Sequence, residues 1–82
     1  MTTPDRIHPE DKVRIDITSE GRKIAEVEST GFHNIESAII TAYKEKATDY
    51  PKDMCVFAVH NITSGTEGRY RFNAHGHLKL IV

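Results

Sequence analysis

The stretch Arg69–Val82, RYRFNAHGHLKLIV, decides how many strands this chain has. Its even positions are Tyr70, Phe72, Ala74, Gly76, Leu78, Leu80 and Val82. Its odd positions are Arg69, Arg71, Asn73, His75, His77, Lys79 and Ile81. Successive side chains of a strand point to opposite faces, so the alternation predicts one closing strand with an apolar half turned to a core and a polar half turned away. The stretch is long for one strand, and Gly76 is expected to mark a bulge or bend within it.

Working back from Arg69, Thr63–Gly68 (TSGTEG) is polar and contains glycine, as a hairpin loop requires. Before it, Met54–Ile62 (MCVFAVHNI) is almost continuously apolar and rich in β-branched and aromatic residues, the composition of a central strand. Tyr50-Pro51 marks a helix end, because the residue before proline avoids the α region. Ile35, Ala38, Ile39, Ala42 and Tyr43 recur at helical spacing. Asn34 is placed to cap that helix, Glu36 suits the positive end of its dipole, and Phe32 staples back onto the first turns.

Towards the N-terminus, Lys12–Thr18 alternates Val13, Ile15 and Ile17 with Arg14, Asp16 and Thr18. Ser19-Glu20-Gly21-Arg22 supplies a turn, and Lys23–Ser29 forms a second strand with Ile24, Glu26 and Glu28 on its outward face. The expected fold is therefore α+β in ββαββ order: a four-stranded, mainly antiparallel sheet with one helix packed on one face. Residues 1–11, polar with Pro4 and Pro9, read as a flexible N-terminal arm, and residues 12–82 as a single domain.

With 82 residues, 38% of them hydrophobic and 28% charged, the chain has the composition of a globular domain rather than a disordered one. Its net charge of −1 provides no general attraction to polyanions. The charge is unevenly distributed, however. Residues 1–68 carry eight Lys/Arg against twelve Asp/Glu, whereas residues 69–82 carry Arg69, Arg71 and Lys79 and no acid. Cys55 is the only cysteine, so no intrachain disulfide forms, and its apolar setting predicts a buried thiol. No signal-peptide core or membrane-length apolar run occurs, so a cytoplasmic protein without membrane contact is expected.

The candidate site is the polar half of the last strand, Arg69, Arg71, Asn73, His75, His77 and Lys79, with Ile24, Glu26 and Glu28 as neighbours. Its bland explanation is a solvated face whose cations pair with Glu26 and Glu28. The preferred functional expectation is a non-enzymatic interaction module that offers this open face, or an edge strand, to a protein partner, itself included. The alternative is RNA or single-stranded DNA binding, to which Arg and Lys would contribute phosphate contacts. Against that reading, Tyr70 and Phe72 have inward parity, which leaves no outward aromatic for bases to stack on.

A further alternative is a pH- or metal-sensitive dimer. His75 and His77, two apart, are the candidate metal ligands, but two imidazoles fall short of a closed site, and neither metal nor cofactor is expected. Catalysis is not expected either. Cys55 and His60 fall on opposite strand faces, Ser64 lacks a nucleophile-elbow pattern, and Gly65–Gly68 is too short and acidic for a phosphate loop. No motif identifies a family.

Overall fold

The computed structural model describes residues 6–81. Strands β1 (Val13–Ser19) and β2 (Arg22–Ser29) form a hairpin, and helix α1 (Ile35–Lys46) follows. A short 3-10 turn at Lys52–Met54 leads into β3 (Cys55–Asn61), β4 (Thr66–Phe72) and β5 (Leu78–Ile81). All neighbouring strands are antiparallel, in the spatial order β2-β1-β3-β4-β5. The α+β class with a single helix holds. Among the described residues the strand count and order are corrected to five strands in ββαβββ order.

The central pair carries the core. Val13, Ile15 and Ile17 of β1 and Cys55, Phe57 and Val59 of β3 are fully buried on one face, with Ile15 opposite Val59 and Ile17 opposite Phe57. Above them lies the apolar stripe of α1, Ile35, Ala38, Ile39 and Ala42. The helix starts at Asn34, whose Oδ1 accepts from the Ser37 N–H at 2.7 Å. Such a cap satisfies one of the first-turn amides that have no partner within the helix. Edge-to-face contacts carry the packing sideways, from Tyr43 to Phe57 (centroids 6.5 Å apart) and from Phe57 to Phe72 (5.8 Å).

Arg69–Val82 does not continue as one strand. The Asn73 carbonyl accepts from the Gly76 N–H at 2.9 Å, and the Asn73 N–H donates to the His77 carbonyl at 2.8 Å. The Asn73 side-chain oxygen accepts from the N–H groups of both His75 and His77, each at 2.9 Å. Residues 74–76 thus form a three-residue hairpin loop that ends on Gly76 at φ +81°. Gly76 turns the chain back on itself, in place of the expected bulge within a single strand.

Irregularity falls in the first hairpin instead. Ile17 lies opposite Ala25 and Thr18 opposite Lys23, which leaves Ile24 as the extra residue of a bulge. Ile24 and Ala25 both pack against the core, so Ile24 does not lie on the outward face.

The expected arm divides at residue 6. Residues 1–5 lie outside the described residues, whereas Ile7 is a core member, 2% exposed. The Gly31 N–H donates to the Pro9 carbonyl at 2.8 Å. Asp11 accepts from the Asn61 side-chain amide at 2.9 Å and from the His8 N–H at 3.1 Å, so residues 7–11 are packed rather than free.

Two outcomes follow. Gly76→Ala forces an alanine into a left-handed conformation and should destabilise by about 1 kcal/mol or more, read as a lower urea midpoint at unchanged slope. The Asn61 amide, then the His8 N–H, hold the Asp11 carboxyl below its ordinary value of 3.8. A lowered folded-state value contributes stability above the ordinary carboxylate range, lost as pH falls through it. The melting temperature of Asp11→Asn should therefore fall less steeply below pH about 4 than that of the parent.

Candidate functional site

Because α1 covers one face of the sheet, side chains of the opposite parity share the other. On that face Arg14 sits between Glu28 on β2 and His60 on β3, and His60 lies opposite Glu67 on β4. In the adjoining row Asp16 sits between Glu26 and Ala58, and Arg69 lies between Ala58 and Ile81. Arg71 lies directly opposite Lys79.

The charges separate into two zones. On the β2-β1-β3 side each acid has a cationic or imidazole partner. Lys12 approaches Glu28 at 3.5 Å, and Lys23 contacts both Glu26 and Asp16, the latter at 3.3 Å. Arg14 Nε lies 3.6 Å from Asp16. His60 has Asp16 at 3.3 Å from Nε2 and Glu67 at 2.9 Å from Nδ1. Glu26, followed by Asp16, raises the Lys23 ammonium above its ordinary value.

On the β4-β5 side the arrangement is the reverse. Arg69, Arg71 and Lys79 are exposed, and among the described residues none has a carboxylate within ion-pair distance. A hollow of about 410 Å³ is lined by Arg71, Phe72, Asn73, Lys79, Leu80 and Ile81.

The hairpin breaks up the expected stripe. Arg69, Arg71 and Lys79 stay together on one face. His75 is exposed in the loop and His77 at its end, and the side-chain oxygen of Asn73 is taken up in shaping that loop. Glu26 and Glu28 are not neighbours of these cations. β1 and β3 stand between β2 and β4, a separation of roughly 14 Å at ordinary strand spacing. The pairing of the stripe with Glu26 and Glu28 is therefore ruled out by strand order. Among the described residues, no three His, Cys, Asp or Glu side chains are grouped to hold a metal ion.

The sequence reading named an edge strand as a candidate surface but did not locate it at β5, which it merged with β4. In the β4–β5 hairpin, the Asn73–His77 hydrogen bond and the register direct the N–H and C=O groups of Lys79 and Ile81 towards β4. Those of Leu78 and Leu80 consequently face outward. Leu80 is also 47% exposed, because α1 lies over β1, β2 and β3 rather than over this hairpin. The sequence signal for this edge was Asn73 followed three residues later by Gly76, which reads as a turn.

Among the described residues Cys55 and His60 are not brought together. Cys55 is fully buried on the helix side, while His60 lies on the open face with both ring nitrogens against carboxylates. Burial, and then the charge of Asp53, push the Cys55 thiol up. No described helix is long and apolar enough to cross a membrane. Cys55 should react with a thiol reagent at least about tenfold more slowly in the native protein than in denaturant, as followed by absorbance. Comparison with known proteins finds no matching family model, curated protein or solved structure.

Proposed function

We propose that this chain is a small non-enzymatic interaction module that binds a protein partner at the β4–β5 end of its sheet. The observation that carries this reading is the contrast within one face. Each acid of the β2-β1-β3 side is matched, while Arg69, Arg71 and Lys79 have no acidic partner among the described residues. Adjacent to them are the half-exposed Leu80 and the outward backbone groups of β5. Unmatched charge, apolar surface and an open strand edge in one place are the components of a recognition surface.

The same three cations support a second reading, contact with the phosphates of single-stranded nucleic acid. It is the weaker of the two because Tyr70 and Phe72, the aromatics of β4, are buried on the helix side and leave the open face without a stacking platform.

Affinity capture from an extract of the native host, with the wild-type chain and with Arg71→Glu/Lys79→Glu as baits, tests the proposal. Partners retained by the wild type should drop at least about tenfold with the doubly reversed bait. An unchanged set of partners rules out this surface. A labelled oligonucleotide that binds tightly, with affinity falling steeply as salt rises, favours the second reading.

A further inference from the structure

Resting on the reading of the β4–β5 end as a protein-binding surface, we propose that its occupant is an extended, acidic segment of another protein. This segment adds to the free edge of β5 as a sixth strand. Its pattern alternates acidic with aliphatic residues, the acids facing Arg71 and Lys79 and the aliphatic side chains covering Leu80.

The two edges of the sheet differ in what they offer. β2 carries the bulge at Ile24, and three of its four charged side chains, Lys23, Glu26 and Glu28, are already engaged. Bulges and engaged charges discourage pairing at an edge. β5 presents the N–H and C=O groups of Leu78 and Leu80 outward in regular strand geometry. Backbone pairing at such an edge provides affinity, and the alternate side chains provide selectivity.

Side-chain parity then sets the pattern of the guest. On the open face, Arg71 and Lys79 lie directly opposite one another, an arrangement of like charges that is unfavourable until an anion comes between or beside them. On the helix side, Leu80 lies beyond the reach of α1 and remains 47% exposed. An added strand lays one row of side chains beside Lys79 and the other beside Leu80. Carboxylates meet the first row and aliphatic groups the second.

A second copy of this chain fits poorly. Two-fold pairing of β5 with itself sets Lys79 opposite its twin or diagonal to it, and places six cations, Arg69, Arg71 and Lys79 from each copy, on one face. Head-to-tail pairing of β5 with β2 of another copy is open-ended, and Glu26 and Glu28 are already held by Lys23 and Lys12.

Titration of the isotope-labelled full chain with the capped peptide Thr-Glu-Val-Glu-Val-Glu-Thr, followed by amide NMR, tests the proposal. Shifts should concentrate at residues 69–72 and 78–81, and the Leu78 and Leu80 amides should gain protection from exchange. Raising salt from about 0.05 to 0.3 M should weaken binding, as screening shortens the reach of the charges. The lysine counterpart and a peptide N-methylated at alternate residues should each bind at least about tenfold more weakly, as should the Arg71→Glu chain. Because both control peptides act on the unaltered protein, the test survives a variant that fails to fold.

Absence of binding by the acidic peptide overturns the proposal, as does equal binding by either control. So do a concentration-dependent dimer that shifts the same amides and a uridine decamer that displaces the peptide at far lower concentration. Loss of the acidic-strand inference leaves the broader reading intact if capture still depends on Arg71 and Lys79. That reading fails separately if capture is indifferent to them.

Discussion

The burial of Ile15, Ile17, Phe57 and Val59 beneath α1 is the constraint on which the other arrangements rest. β1 and β3 are flanked by strands on both sides and covered on one face, so their inward positions are dry and their outward positions fall into register. Truncation of a ring such as Phe57 at such a site costs about 3–5 kcal/mol. A domain of this size has about 4–12 kcal/mol in total at ordinary per-residue stability. The cross-strand rows of the open face are thus fixed by what happens on the closed one. A slip of β1 by one residue against β3 would bury Arg14 and Asp16 and expose Ile15 and Ile17.

The sheet is wider than its cover. One helix of twelve residues lies over three strands, the Tyr43–Phe57–Phe72 ring contacts extend the core to β4, and of β5 Leu78 packs partly buried against it. Lys52 helps to close the margin, its ammonium 5.0 Å from the Phe72 ring. Leu80 of β5 lies outside this cover. Its partial exposure follows from the ratio of helix to strands, and leaves apolar surface on the helix side of the same edge whose open side carries Lys79.

Much of the fold was legible from residue order. The alternation of Val13, Ile15 and Ile17 is a period-two signal that a buried strand must show, and Asn34 before a period of 3.6 is a helix start whose capping bond the structure contains. The last third was harder to read because Arg69–Val82 keeps the same parity on both sides of its turn. A three-residue loop between positions 73 and 77 returns even residues to the helix side and odd residues to the open side, so periodicity alone cannot distinguish a hairpin from one long strand. Only the turn chemistry of Asn73 and Gly76 does, and Gly76 was read as a bulge.

For the site, Arg69, Arg71 and Lys79 were legible as one group because hairpin and single strand place them on the same face. The supposed closeness of Glu26 and Glu28 was not, because strand order is a non-local property that the alternation within each strand does not encode. The bulge at Ile24 was hidden for a similar reason. It depends on how the left-handed, positive φ values of Glu20 and Gly21 set the hairpin against β1, and a single apolar residue beside Lys23 does not signal it.

The sorting of charge across the sheet also has a consequence before any contact forms. A nearly neutral molecule whose closing hairpin is cationic and whose remainder is acidic behaves as an electric dipole lying in the plane of its sheet. In the field of a charged surface such a body rotates before it docks, and the β4–β5 end is turned towards negative potential from a distance of about a Debye length, roughly 8–10 Å. Orientation is thereby biased during approach, with the short β5 edge on the side turned towards negative potential.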